Sequence, residues 1–158
     1  MEIRRGKQED IDKILSLLNQ VLEIHANIRP DIFISGKTKY TRDMLLDMLA
    51  DNDNPIYVVD ENGVVAYAFC QIKMAPFSTT MHQNKELFID DLCVDKSQRG
   101  KGTGKLLFDF LKKEAKRIGC YELTLNVWEG NDSAKAFYDK MGMKVKEYTM
   151  EYILKEEK

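Results

Sequence analysis

The eight residues Gln98-Arg99-Gly100-Lys101-Gly102-Thr103-Gly104-Lys105 restrict what this chain can become more than any other stretch. They follow an apolar, strand-like run, Leu87-Phe88-Ile89-Asp90-Asp91-Leu92-Cys93-Val94, and lead into an amphipathic helix pattern that starts at Leu106. A strand, a short glycine-rich turn and a helix N-terminus together make an anion site. The first N–H groups of the helix are free, the helix dipole turns its positive end outward, and glycine lets a phosphate come close. A phosphate-bearing ligand is therefore the first expectation, with an ordinary glycine-rich turn as the plainer alternative. Spacing separates the known phosphate loops. A Walker A loop would need glycine where Arg99 stands and a hydroxyl where Leu106 stands. A dinucleotide fingerprint fits Gly100 and Gly102, but its third glycine falls on Lys105. What remains is Gln/Arg-x-x-Gly-x-Gly/Ala, met by Arg99, Gly102 and Gly104.

The rest of the chain reads as one α/β domain over 1–158. Its 158 residues are 44% hydrophobic, enough for a single core, and its net charge of −2 gives no bulk attraction to nucleic acid or to an anionic membrane. No apolar run is long enough to span a bilayer, and Met1-Glu2-Ile3-Arg4-Arg5 has no signal-peptide core, so a cytoplasmic protein is expected. Cys70, Cys93 and Cys120 form an odd set in strand-like surroundings and read as buried free thiols. After a short opening strand at Ile3, apolar residues recur at helical spacing from Lys7 to about Ala26, up to a loop at Arg29-Pro30. Thr41 is placed to cap a helix containing Met44, Leu45, Met48 and Leu49. Ile56–Val59 and Val64–Tyr67 flank Asn62-Gly63, a type I′ hairpin signal, with the second strand reaching about Lys73. A polar loop, 75–85, precedes the strand that ends at Val94. The helix from Leu106 stops at Gly119. The order β-α-α-β-β-β-α-β-α-β implies a layered domain with a mostly antiparallel sheet and one parallel pair at the strand-helix-strand crossover.

A second motif follows at the C-terminal side. After a predicted strand, Cys120–Val127, come Asn131-Asp132-Ser133-Ala134-Lys135-Ala136-Phe137-Tyr138 and then Met141-Gly142-Met143. Together with the Arg99-x-x-Gly102-x-Gly104 loop, this resembles the GNAT superfamily of N-acetyltransferases. There the loop holds acetyl-coenzyme A. An Asn opens the next short helix, an aromatic-Tyr pair follows, and a Gly ends it before a final strand. The resemblance implies the GNAT fold: a mixed, mostly antiparallel sheet with helices on both faces and a splayed parallel strand pair that receives the pantetheine arm.

The resemblance also implies roles for residues. The loop residues Arg99, Gly100, Lys101, Gly102, Thr103, Gly104 and Lys105 would hold the pyrophosphate. Leu92, Cys93 and Val94 would pair with pantetheine through their backbones, and Asn131, Phe137 and Tyr138 would complete the cofactor site. Tyr138 matches the family's motif tyrosine, a phenol that donates to the departing thiolate. Asp90 is the favoured general base, acting through a water, because a mid-strand aspartate that is buried has its pKa raised. Asp90 and Asp91 should face opposite sides of the sheet by strand alternation. Asp91, His25 and Arg29 are assigned to the acceptor side, with Glu86 as a reserve base and His82 in an exposed loop. No cluster of Cys or His has zinc spacing, so no metal is expected. Cys93 reads as strand filler rather than as a nucleophile.

The leading reading is direct transfer of an acetyl group, in a ternary complex, to a primary amine of a small molecule or of a protein. A non-catalytic acyl-coenzyme A sensor of the same fold is the alternative, and a nucleotide enzyme of another fold fails on loop spacing. Dimers are frequent in the superfamily, and a C-terminal strand around Tyr148 to Leu154 offers a contact for a homodimer.

Overall fold

The computed structural model describes residues 1–155; the expected domain also takes in 156–158, which lie outside the described residues. The chain opens with β1 (Glu2–Arg5) and a single 3₁₀ turn, Gln8–Asp10. Then come α1 (Ile11–Ile28), α2 (Arg42–Leu49), β2 (Ile56–Asp60), β3 (Val64–Met74), β4 (Lys85–Val94), α3 (Thr103–Ile118), β5 (Glu122–Leu125) and α4 (Asp132–Lys140). The five strands form one sheet in the order β1-β2-β3-β4-β5. Neighbours are antiparallel except β4 and β5, which run parallel.

Alternation along the strands divides the core into two layers. Ile56, Val58, Tyr67 and Phe69 face Ile11, Ile14, Leu17 and Leu18 of α1 and Leu45 of α2. Tyr57, Val59, Ala66 and Ala68 face Leu107, Phe108, Leu111 and Ala115 of α3, with α4 packed at the margin. Helices therefore cover both faces, as the pattern of the sequence implies. Thr41 caps α2, its Oγ accepting the Met44 N–H at 3.2 Å. α1 runs two residues past Ala26 to Ile28 and stops at Arg29, where the following proline disfavours helix. Asn62 and Gly63 both take positive φ, 56° and 120°, at the tip of the β2–β3 hairpin. The connection is three residues wide, not the two of a type I′ turn, and the register shifts beside it at Val59/Asp60.

Two further expectations are corrected. Among the described residues, no strand forms after α4, and 144–154 make no ladder with any described strand. β5 is also shorter than expected. It pairs over Glu122–Leu125 only, matched to Glu86–Ile89 of β4, so the ladder ends where β4 continues alone.

β1 is fastened by charge. Arg4 donates to both oxygens of Asp10, at 2.8 and 3.0 Å, and to Asp60 at 2.9 Å, tying the first strand, the entrance to α1 and the hairpin together. The Asp10 side chain is 7% exposed, so removing its partner strands a carboxylate away from water. Arg4→Met should lower the free energy of unfolding by about 3 kcal/mol. Urea denaturation measures it, and an unchanged midpoint would show the clamp to be dispensable.

Candidate active site

β4 carries a bulge at the point where it parts from β5. Its register with β3 runs Cys70 to Ile89 and then Phe69 to Asp91, passing over Asp90. One extra residue reverses the alternation. Leu87 and Ile89 point into the α3 layer, whereas Cys93 points into the α1 layer. Asp90 and Asp91 consequently do not take opposite faces. Asp90 accepts from Tyr40 Oη at 2.8 Å and from Lys39 Nζ at 2.9 Å. Asp91 accepts from Tyr67 Oη at 3.0 Å, and Tyr67 and Tyr40 both pack on Phe69. Both carboxylates thus meet one aromatic cluster beneath α1 and α2.

Of the two, Asp91 has the character expected of Asp90. It keeps a partly open surface but lies deep among protein atoms. Desolvation pushes its pKa up to about 6 against the pull of Lys39 and the Tyr67 hydroxyl. Asp90 instead accepts from both Tyr40 and Lys39 through one oxygen, Oδ2. Glu86 accepts from Thr124 Oγ at 2.7 Å, a cross-strand tie between β4 and β5. Lys39, Tyr40 and Tyr67 were not singled out from the sequence. Only the strand register and the α1–α2 loop bring them to the carboxylates.

The glycine-rich loop has the geometry of an anion cradle. Gly100 and Gly102 adopt φ of 77° and 83°, which side chains disfavour, and an added Cβ at either would meet no heavy atom within 4 Å. Gly102 caps α3, whose first i→i−4 bond runs from Leu106 N–H to Gly102 C=O at 3.0 Å. The N–H groups of Thr103, Gly104 and Lys105 therefore face outward without an intrahelical partner. Thr103 is 1% exposed, and its hydroxyl has no hydrogen-bond partner among the described residues. These features suit a diphosphate. The lysines differ: Lys105 is bonded to Asp109 at 2.6 Å along the helix, while Lys101 stands exposed in the loop. Arg99 donates through Nε to the Val94 carbonyl at 3.3 Å, closing the loop onto the end of β4.

α4 is docked to this loop through one glycine. A Cβ on Gly104 would stand 3.2 and 3.3 Å from ring carbons of Phe137, and 3.6 Å from Val94. Asn131 starts the helix by accepting the Ala134 N–H at 3.3 Å. Tyr138 follows Phe137, edge to face at 5.0 Å, and its hydroxyl has no hydrogen-bond partner among the described residues. Desolvation, with the charge of Asp91 adding to it, pushes the Tyr138 phenol upward, so the proton stays on oxygen at neutral pH. Tyr138 packs in the α3 layer, and Asp91 lies on the other face of the sheet.

The remaining candidates lie at the C-terminal end of α1. His25 is half-buried against Phe33 at 5.1 Å, and Phe33 meets Trp128 edge to face at 5.2 Å. Burial, then the charge of Lys39, lowers the His25 pKa and keeps the ring neutral. Arg29 is already engaged by Asp31 at 2.7 Å and Glu151 at 2.6 Å, so its guanidinium is committed within the chain. His82 lies in the exposed 75–84 loop, apart from these groups. A cavity of about 200 Å³ opens beside Asp90, lined by Tyr40, Met48, Asp51, Phe69, Gln71 and Asp90. Burial pushes the thiols of Cys70 and Cys93 up to about 12, and Cys93 Sγ points at the Leu17 carbonyl of α1. Among the described residues, no group of three or more His, Cys, Asp or Glu is arranged to hold a metal ion, and no helix is long and apolar enough to cross a membrane.

Comparison with known proteins gives this geometry a context. The chain matches the acetyltransferase (GNAT) family over residues 18–143 and belongs to it. It is 32% identical over 99 residues to glucosamine 6-phosphate N-acetyltransferase of Arabidopsis thaliana, a match that covers 63% of this chain and 64% of that enzyme. The BH1408 protein of Bacillus halodurans, solved as a point mutant, is 34% identical with a TM-score of 0.92, covering 98% of this chain and 99% of that one. An aminoglycoside N-acetyltransferase crystallised with coenzyme A shares the fold, with a TM-score of 0.70 at 14% identity over 98% of this chain and 99% of its own.

The contact between Gly104 and Phe137 can be measured. Gly104→Ala gains about 1 kcal/mol of helix propensity but overpacks against the ring by about 1–3 kcal/mol, for a net loss of about 1 kcal/mol. In a Phe137→Leu background the same change should become stabilising. A thermodynamic cycle with no coupling between the two sites would remove the contact.

Proposed function

We propose that this GNAT-family N-acetyltransferase takes its acetyl group from acetyl-coenzyme A and passes it directly to the primary amine of a small molecule, with both substrates bound together in one domain. The observation that carries this reading is the loop at the start of α3, whose outward N–H groups and unpartnered Thr103 hydroxyl suit a diphosphate, with the Tyr138 helix docked on it through the Gly104–Phe137 contact. Asp91 is a carboxyl that is ionised at neutral pH yet basic for its kind, and Tyr138 is a phenol with an unpaired hydroxyl. Acyl transfer to an amine needs one group of each sort.

Acetyl-coenzyme A supplies an activated acyl thioester. The outward N–H groups of Thr103, Gly104 and Lys105 and the Gly100–Gly102 turn would hold its pyrophosphate, with Arg99 and Lys101 contributing charge. Leu92, Cys93 and Val94 lie beyond the end of the β5 ladder, so their strand edge is free to pair with amide groups of the pantetheine arm. An N–H on that edge is also suited to polarise a carbonyl oxygen. Phe137 braces this arrangement from α4, and Asn131 fixes where α4 begins.

An alkylamine reaches the site protonated, with a pKa near 10.4 in water, and desolvation lowers that value. Asp91 receives the proton, through a water. Asp90, beside it in the chain, is held by Lys39 and Tyr40. Tyr138 holds a proton at Oη to give to the departing sulfur. Cys93 takes no part as a nucleophile, since its thiol is protonated and buried against α1. The cavity beside Asp90 combines two carboxylates, Asp51 and Asp90, with the rings of Tyr40 and Phe69, which suits a compact cationic amine. The names of the glucosamine 6-phosphate and aminoglycoside enzymes, whose substrates are small amines, support the same acceptor class over a protein amine. A sensor without turnover would have no use for the Asp91–Tyr138 pair.

Incubation with acetyl-coenzyme A and a panel of amines should release free thiol with at least one small amine. Cofactor binding without release on any of them would favour the sensor. Tyr138→Phe should lower kcat by about 10²–10⁴-fold while calorimetry shows coenzyme A affinity unchanged. An unaltered rate would reduce Tyr138 to a packing residue.

Asp91 must be ionised to act, so kcat/KM should rise with pH through about 6 and level off above it. Asp91→Asn should abolish that acid limb and lower the plateau. A limb that survives the substitution would move the base elsewhere.

A further inference from the structure

One primary amine of the chain already sits on the candidate site. Lys39 Nζ donates to Asp90 Oδ2 at 2.9 Å, and the Tyr40 hydroxyl meets the same oxygen at 2.8 Å. Nζ also stands 5.5 Å from the centre of the Tyr40 ring, within reach of a cation–π contact. A carboxylate and an aromatic face are the groups that a free alkylammonium would seek there. The other lysine ion pairs among the described residues lie on Asp95, Asp109, Glu129 and Glu122, and none involves Asp90 or Asp91.

Lys39 is delivered by the loop between α1 and α2, and that loop is anchored. Glu23 of α1 accepts from Ser35 Oγ and from the Gly36 N–H, both at 2.6 Å, and Asn19 Nδ2 donates to the Lys37 carbonyl at 3.1 Å. Thr38 Oγ1 donates to the Tyr40 carbonyl at 2.8 Å. The backbone is thus braced at Lys37 and Tyr40, on either side of Lys39. The ion pair itself is no firm clamp. The Lys39 side chain is 45% exposed, and a pair that open to water contributes little to stability. The ammonium can leave Asp90 on its flexible arm while the backbone stays in place. A compact amine bound against Asp90 would take the ground that Lys39 holds.

We propose that Lys39 is an acceptor built into the chain: with no free amine present, the protein acetylates its own Lys39 Nζ. This rests on the acetyl-transfer reading and gives that chemistry a substrate in cis, presented as a small amine would be. Nζ bonds to the acetyl carbonyl carbon, and the carbon–sulfur bond of the thioester breaks. Nitrogen loses two protons. One passes to Asp91 before attack and on to water. The other, shed as the amide forms, replaces the proton that Tyr138 gives to the sulfur. The product is a neutral amide, so Asp90 loses its cation.

The test is mass spectrometry of the full chain, intact and as peptides, after incubation with acetyl-coenzyme A alone. One acetyl group should appear at Lys39. It should arrive faster than at Lys37, an exposed lysine two residues away, by about 10²-fold or more, the contribution of positioned proton-transfer groups. The rate per molecule should not depend on protein concentration, as transfer within one chain requires. Lys39→Arg, which keeps a cation for Asp90 without an amine nucleophile, should lose the rapid uptake. Propylamine should slow the labelling of Lys39 by competing for its place. Uptake spread evenly over exposed lysines, a rate that rises with protein concentration, or equal labelling in Tyr138→Phe would overturn the proposal. Thiol release with an added amine while Lys39 stays unmodified would overturn it and leave the acetyl-transfer reading standing. Transfer to neither would sink both.

Discussion

The place where β4 lets go of β5 governs the rest of this structure. The parallel ladder holds from Glu86 to Ile89 and then stops, and the very next residue of β4 is the bulged Asp90. Ending the ladder frees a strand edge, and inserting a residue re-aims the side chains that follow. Without the bulge, Asp91 would keep the parity of Leu87 and Ile89 and enter the α3 layer, far from Tyr67 and Lys39. The end of one ladder and the bulge in the next thus create a free edge and turn two carboxylates to one face.

The two halves of the molecule keep their alignment through contacts that tolerate little change. Gly104 belongs to the first turn of α3, and its missing side chain is the space that the Phe137 ring occupies. Tyr138 is fixed by the same contact, being the next residue on α4. A loop suited to phosphate and a helix that bears a proton donor are therefore placed by one packing event. On the other face, Tyr40 and Tyr67 flank Phe69 and point their hydroxyls at the two aspartates. The carboxylates are thereby held by groups that pack with the core.

The sequence was most legible where chemistry is local. The Gly102 and Gly104 spacing, the caps at Thr41 and Asn131, and the positive φ at Asn62 and Gly63 depend on residues within a turn of one another. The layered order of helices and strands followed from periodicity. The bulge was not legible, since Asp90-Asp91 reads like any two strand residues until the register with Phe69 and Cys70 is known. The expectation that Asp90 and Asp91 take opposite faces failed for that reason: simple alternation gave no way to see that both would turn toward the α1 layer. Lys39 and Tyr40 lie about fifty residues from Asp90 and carry no motif. Tyr148 to Leu154 had the right alternation for a strand, but alternation says nothing about whether a partner exists within the same chain.

The burial of Cys70 and Cys93 bears on the acetyl-coenzyme A donor proposed above. Any ionised thiol near an acyl thioester invites exchange, in which the acyl group moves from one sulfur to another and the amine is bypassed. Burial pushes the Cys70 and Cys93 thiols up and keeps them protonated at pH 7. Cys93 stands on the strand that would receive the donor, and its sulfur is turned the other way, into the α1 layer. Cys70 and Cys93 would thus stay silent toward the proposed donor, leaving an amine as the acyl group's productive destination in the proposed reaction.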